Sequence, residues 1–357
     1  MNFRAGLIRS LRGAGYRPVI VAPEDPAGEP RMAELGVERV ILPIDRSGLN
    51  PVADLRLLLG YRRILQRVKP VAFLGFTIKP NIYGSLAATS LGIPAIPNVS
   101  GLGTAFIGRG PLRLLVSQLY RRAFRKAPVV FFQNPDDSRL FVDRRIVRVD
   151  RTRVLPGSGI DLEYFAPAPQ PPGLLTFLLV SRLLGDKGIR EYVDAVRQLR
   201  HTLAARFQLV GPLDPGNRSG IREDELSRWV EEGTIEYLGA TDDVRSFIAA
   251  ASAIVLPSYR EGLPRSLLEG AAMARPLIAT DVPGCREVVE DGVNGYLCAV
   301  RDAGSLARAM RKLADLSPVE RERMGAASRR KVEERFGEDV VIRAYLEELT
   351  KLQLSPR

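Results

Sequence analysis

At 357 residues the chain is longer than a single core organises and suits two domains of about 150–200 residues each. Its 45% hydrophobic content is that of a globular protein, no apolar run approaches the ~18 residues of a membrane span, and Arg4, Arg9 and Arg12 interrupt what would otherwise read as a leader, so a soluble, unexported protein is expected. The net charge of +11 is unevenly placed: residues 1–150 hold 23 Lys or Arg against 11 Asp or Glu, which points to an anionic membrane or a nucleic acid as partner, and no interleaving of aromatic and basic residues supports the second. Two cysteines, Cys285 and Cys298, lie outside any CxxC pair and read as buried small apolar residues. With His201 as the one histidine, there is no set for a zinc site or a Ser-His-Asp triad.

In chain order, β-branched and apolar runs at 18–22, 39–42, 71–74 and 129–132 alternate with amphipathic stretches such as 54–68, which predicts a doubly wound sheet. The segment 111–126 places Leu112, Leu115, Val116, Leu119 and Ala123 on one helical face, with Arg121, Arg122 and Arg125 opposite. It reads equally as a core helix with a solvated basic back and as a helix lying on an anionic bilayer. The proline-rich stretch 165–173 offers too few amide donors for regular structure and reads as a linker. Runs at 176–180, 207–210, 254–256 and 277–279 then repeat the α/β pattern, and a last helix is expected from about 338 to 352. The expected organisation is a domain over 1–165, a linker over 166–173, a second domain over 174–335 and a terminal helix within 336–357.

The most informative stretch is Glu261-Gly-Leu-Pro-Arg-Ser-Leu-Leu-Glu269, which follows the apolar run 253–258. Pro264 suits a first helical turn, where a missing backbone donor costs nothing. The amides after Gly262 then point outward with the positive end of the helix dipole, which attracts a diphosphate. At ~1.5 Å per residue the two carboxylates stand roughly 10 Å apart, about the span of a folded nucleoside diphosphate sugar. Glu261 is placed to accept hydrogen bonds from sugar hydroxyls and Glu269 to clasp both ribose hydroxyls, each such bond contributing ~1.5–3 kcal/mol. Read alone, either residue is equally well explained as a helix-start carboxylate or a solvated face residue.

Residues 257–269, continuing into 275–284 and 290–296, resemble the retaining glycosyltransferases of GT-B fold that carry an E-x7-E motif, and the resemblance covers 174 to about 335. It implies an α/β fold of two Rossmann-like domains facing a cleft, with ligands at the strand carboxyl ends. The implied donor is a UDP-sugar, with no cofactor and no metal, and the last helix crosses back to the first domain. On this resemblance the donor contacts are Gly262, Leu263, Pro264, Arg265, Glu269 and Gly211, with the nucleobase near 210–212 and 237–240. Arg182 and Lys187, in Ser181-Arg-Leu-Leu-Gly-Asp-Lys-Gly188, resemble the family's diphosphate-binding pair and join Glu261 as expected catalytic residues. Two such contacts on the leaving group are worth ~3–6 kcal/mol, or about 10²–10⁴ in rate. The family needs no enzyme nucleophile for retention, the departing phosphate helping to deprotonate the incoming hydroxyl. The chain departs from the family at its start: residues 1–9 match the first helix rather than the first strand. A strand and its glycine loop are therefore expected to be missing, with part of the acceptor pocket and some stability.

Residues 76–88 and 97–106 resemble one branch of that family, which transfers N-acetylhexosamines to polyprenyl-diphosphate-linked sugars in bacterial glycan assembly. The implied partners are the nucleotide sugar, the lipid-linked acceptor and the anionic inner face of the cytoplasmic membrane, reached through the basic first domain, and no nucleic acid. Lys79, Asn81, Ser100, Gly101 and Gly103 are the candidate acceptor contacts. Ser100-Gly-Leu-Gly103 after a strand reads as a backbone nest for a diphosphate, with Lys79 adding charge, or as a tight turn; Asn81 reads equally as a helix cap. Two rival readings stay open: a truncated UDP-sugar-binding protein without turnover, and a sugar-nucleotide epimerase of the same fold, which requires an acid and a base that the sequence does not offer.

Overall fold

The computed structural model describes residues 4–25, 29–44, 50–102, 111–217 and 219–354, with backbone alone for 29–31, 111 and 112. The chain divides into two compact units, Met1–Gly159 with Glu338–Arg357, and Ile160–Gly337.

In the first unit β1 (Val19–Ala22) and β2 (Glu38–Ile41) form a parallel pair. A second parallel sheet holds β3 (Phe73–Phe76), β4 (Ala95–Val99), β5 (Val130–Phe132) and β6 (Thr152–Val154), in that order. The helix Pro51–Val68 opens on two start signals in series, an Asn50 side chain that accepts from the amides of Val52 and Ala53, and a proline in its first turn. It buries Leu57, Tyr61 and Leu65 at helical spacing in a cluster with Phe73.

The helix Pro111–Phe124 is a core helix. Val116, Tyr120, Ala123 and Phe124 are buried with Phe132 and Phe141, so of the two readings left open for the apolar face, two of its residues, Val116 and Ala123, follow the core reading. Leu119 is half-buried, Leu115 is exposed, and the side chain of Leu112 lies outside the described residues. Arg121 is tied to the carbonyls of Arg144 and Arg145. The terminal helix Glu338–Leu354 packs Val341, Ala344, Tyr345 and Leu349 against Leu7, Leu11, Ile96 and Phe131 of the same unit. Tyr345 meets Phe131 edge-on at 4.8 Å and accepts a hydrogen bond from Asn98 Nδ2 at 2.9 Å.

In the second unit β7 (Leu175–Val180), β8 (Ala205–Val210), β9 (Glu236–Tyr237), β10 (Ala253–Leu256), β11 (Leu277–Thr280) and β12 (Gly295–Cys298) form one parallel sheet, ordered β12-β11-β10-β7-β8-β9. β10 and β11 are fully buried, which is why they read as continuous apolar runs. The chain moves outward from β7 to β9 and then returns to lay β10 on the other side of β7. The direction of winding therefore reverses between β7 and β10, and the carboxyl ends at such a reversal are where open parallel sheets bind ligands.

The first unit ends at Gly159 rather than near 165, and the proline-rich stretch is fastened to the second unit. Ile160 N–H donates to Phe336, and Arg329 donates to the carbonyls of Leu162, Phe165 and Ala272. The fully buried Arg275 donates to those of Pro169, Ile248 and Ala249. Prolines leave a segment with acceptors and few donors, and two arginines supply the donors; burial lowers the Arg275 guanidinium to about 10. Cys285 and Cys298 are free and buried, as expected, and His201 is exposed.

Candidate functional site

The carboxyl ends of β7 and β10 carry the two loops that matter in the second unit. After β7, Ser181 and Leu183 donate their amides to the carbonyls of Val210 and Pro212, strapping the loop to the end of β8. Gly188, at φ +73, then starts the helix Ile189–Leu199; a Cβ there would fall 2.0 Å from the Pro257 carbonyl oxygen, so glycine alone lets this loop meet the one after β10. Tyr259 joins the two loops, its amide donating to Asp186 at 2.9 Å and its hydroxyl to Glu191 Oε1 at 2.6 Å. Burial and the Glu191 carboxylate push that phenol up to about 12. Lys187 Nζ is thereby held 2.5 Å from Glu261 Oε1, with the side chains 23% and 12% exposed.

Past Glu261 the backbone turns through Gly262 and Leu263 into the helix Arg265–Ala272. Pro264 stands at the residue before the helix rather than within its first turn, extended at ψ 117°. One turn separates Arg265 from Glu269, and Arg265 Nε donates to Glu269 Oε1 at 2.7 Å. Burial raises the Glu269 carboxyl above its usual range, Arg265 opposes that rise, and Asp243 adds to it. Asp243 in turn accepts the Arg245 guanidinium at 2.7 Å, which lies 3.8 Å over the Tyr164 ring.

Behind this turn runs Gly284, at φ +83, where a Cβ would fall 2.5 Å from the Gly262 carbonyl oxygen and 2.8 Å from that of Glu261. Its neighbour Cys285 is a buried thiol raised well above its ordinary value, by burial first and by Glu261 second, with Lys187 opposing, which keeps it protonated and unreactive.

Arg182 pairs with Asp214 at 3.0 Å and is 57% exposed, so in this structure it faces the loop after β8 rather than Glu261. Gly211 donates to Gly239 at 2.9 Å, and its carbonyl accepts from the Tyr237 hydroxyl at 2.9 Å, which joins the ends of β8 and β9. The expected donor residues thus fall into two ion pairs, Lys187 with Glu261 and Arg265 with Glu269, while Arg182 and Gly211 belong to neighbouring loops. Asp214, Asp243, Tyr259 and Gly284 were missed as contributors. Only Gly284 left a signal, a glycine after a proline just past an apolar run.

In the first unit Lys79 is held in an ion pair. Its Nζ lies 2.8 Å from Asp54 Oδ1, and Tyr83 donates to Asp54 Oδ2 at 2.7 Å. Asn81 is not a cap. It lies in a π-helical turn, Pro80–Gly84, and its buried Nδ2 donates to the Asn98 carbonyl at 2.7 Å. Its Oδ1 and the buried Ser85 hydroxyl find no partner among the described residues. Thr77, at φ +67, stores backbone strain where the chain leaves β3. Ser100 and Gly101 follow β4, Gly101 at φ +139; Gly103 lies outside the described residues.

Residues 3–157 match the family described as "Glycosyl transferase 4-like domain", and residues 175–315 the family "Glycosyl transferases group 1". The chain is 25% identical over 364 residues to the N,N'-diacetylbacillosaminyl-diphospho-undecaprenol alpha-1,3-N-acetylgalactosaminyltransferase of Campylobacter jejuni, covering 97% of this chain and 94% of the relative. It is 23% identical over 282 residues to the UDP-Gal:alpha-D-GlcNAc-diphosphoundecaprenol alpha-1,3-galactosyltransferase of Escherichia coli, covering 75% and 72%. Among solved structures, HepE of Anabaena in complex with UDP and glucose matches with a TM-score of 0.79 at 19% identity, over 98% of this chain and 96% of that one. A glycosyltransferase from Rickettsia africae matches with a TM-score of 0.78 at 17% identity, over 99% and 95%. The architecture is the GT-B fold of these neighbours.

Proposed function

We propose, from the premise that this chain belongs to the group 1, 4-like glycosyltransferases, that it moves an N-acetylhexosamine from a UDP carrier to a polyprenyl-diphosphate-linked sugar, with retention and without a metal. The observation that carries the reading is the Lys187–Glu261 pair at the β7/β10 reversal, backed one turn on by Arg265–Glu269. Each pair is a cation and a carboxylate that neutralise one another and exchange partners when a donor arrives. Lys187 and Arg182 then face the diphosphate, Glu261 the sugar hydroxyls and Glu269 the ribose.

In the step itself the bond from the anomeric carbon to the β-phosphate oxygen breaks and UDP leaves with the electron pair. The acceptor oxygen bonds to the same face of that carbon, and its proton passes to the departing phosphate. The side chains supply charge and position, and none is consumed. The acceptor class rests on two relatives whose names agree on a diphosphoundecaprenol-linked acceptor while differing in the sugar moved. The N-acetylhexosamine rests on the one matched over nearly the whole chain.

The test is incubation with a panel of UDP-hexoses and UDP-N-acetylhexosamines and polyprenyl-diphosphate sugars, in EDTA, with lipid products read by mass. The expected result is a gain of one N-acetylhexosamine that Glu261→Ala abolishes. UDP-sugar binding without any lipid product would favour a binding protein, and interconversion of the UDP-sugars without acceptor an epimerase.

A further inference from the structure

The solvent faces of two helices in the first unit carry large apolar side chains. On Pro51–Val68, Val52 and Leu55 are more than half exposed and Leu59 nearly so, at the spacing i, i+3, i+7 that makes one stripe. On Pro111–Phe124, Leu114 and Leu115 are more than half exposed, on the side away from the buried Tyr120 and Phe124. Both helices pack against the π-helical turn Pro80–Gly84, and Asp54, in the first turn of one, reaches Lys79 and Tyr83. Helix N-termini in a parallel α/β layer stand at the carboxyl edge of the strands, so both stripes begin beside the residues that follow β3 and β4.

Charge settles what such a surface meets. The two helices hold seven arginines and one acid, Asp54, which is already bonded to Lys79 and Tyr83. Arg56 and Arg63 are exposed and border the Val52–Leu55–Leu59 stripe at 100° per residue. Leucines flanked by guanidiniums, with no free carboxylate among them, fit the boundary of an anionic bilayer, where apolar side chains enter the acyl region and cations meet headgroup phosphates. A nucleic acid has no contact to offer Leu55 or Leu59.

We propose that the exposed faces of these two helices form the membrane-docking surface of the protein, bringing the residues after β3 and β4 to the plane in which a lipid-linked diphosphate lies. This rests on the acceptor proposed above; of the face Leu112, Leu115, Val116, Leu119 and Ala123 read from the sequence it keeps Leu115, and it adds Val52, Leu55, Leu59 and Leu114.

The experiment is co-sedimentation of the full chain with vesicles of phosphatidylglycerol and phosphatidylcholine, without donor or acceptor, so that it stands apart from the catalytic reading. Leu55→Glu/Leu59→Glu and Leu114→Glu/Leu115→Glu alter exposed side chains, and an unchanged melting temperature and UDP affinity confirm the fold. Each pair is expected to cut the vesicle-bound fraction at least about fivefold, and turnover of a short-chain, water-soluble acceptor to remain at the wild-type rate. Undiminished vesicle binding in the variant carrying all four substitutions overturns the proposal. So does binding that Arg56→Glu/Arg63→Glu abolishes while the leucine variants retain it, because the surface is then a charge patch. If no acceptor turns over while the leucine variants still lose vesicle binding, the docking surface stands and the catalytic reading falls.

Discussion

The loops at the strand ends of the two units differ in what their charges face. In the second unit Lys187 and Glu261 come from two loops that a topological reversal brings together, and each is held by one opposite charge. In the first unit Lys79 answers to both Asp54 and, through it, Tyr83, while Asn81 is wholly buried. A single ion pair among the described residues at the strand ends is poised to trade partners with a ligand, whereas a network of three holds a turn in place. On the function proposed above, the first arrangement is that of groups that meet the reacting substrate and the second that of groups that shape a pocket.

That contrast breaks first at the strongest point. Glu261→Ala and Lys187→Ala are each expected to lower kcat/KM by at least about 10²-fold, measured as UDP release that requires acceptor; near-wild-type turnover in both would dissolve the distinction. Next comes Gly284→Ala, whose Cβ has no room against the Gly262 and Glu261 carbonyls. A strained residue of this kind costs about 1–3 kcal/mol, and the displaced Glu261 is expected to lose about tenfold in kcat with a lowered melting temperature. Lys79→Ala sharpens the comparison from the other side, raising the acceptor KM several-fold and lowering the melting temperature while the donor KM stays put. An altered donor KM would place Lys79 in the donor site instead.

The smallest effect is in pH. The buried Glu269 carboxyl keeps its proton to a higher pH than the ordinary 4.5. Folding therefore favours its protonated form, a contribution to stability present at low pH and lost as pH rises through the raised value. Ribose hydroxyls donate to the carboxylate, so UDP affinity is expected to weaken as pH falls through a midpoint above 4.5. In Glu269→Gln that acid limb is expected to be flat, as read by calorimetric titration.

In the second unit the candidate residues were legible one by one because each sits in a short local motif, although the 74-residue pairing of Lys187 with Glu261 was not. Glu261 and Glu269 share one loop-helix junction, and Lys187 follows a buried strand whose apolar run marks it plainly. What escaped was whatever depends on distant pairing. Nothing near Lys79 announces Asp54, 25 residues away, and nothing near Arg182 announces Asp214. β6 and β9, at three and two residues, are too short to show alternation, and β3 lies at Phe73–Phe76 rather than two residues earlier. The helix Pro111–Phe124 shows why amphipathicity alone misleads: its apolar stripe is real and is used to fill the core, so the surface to notice was the remainder.

The central claim, that a UDP-sugar replaces the partners within the two ion pairs, is tested most directly by calorimetry of UDP and of UDP-N-acetylhexosamine on the wild type, Glu261→Ala and Glu269→Ala. Glu269→Ala is expected to weaken both ligands alike, since both carry the ribose. Glu261→Ala is expected to leave UDP binding nearly intact and to remove whatever affinity the sugar adds. Equal affinities of both variants and the wild type for both ligands would contradict the account.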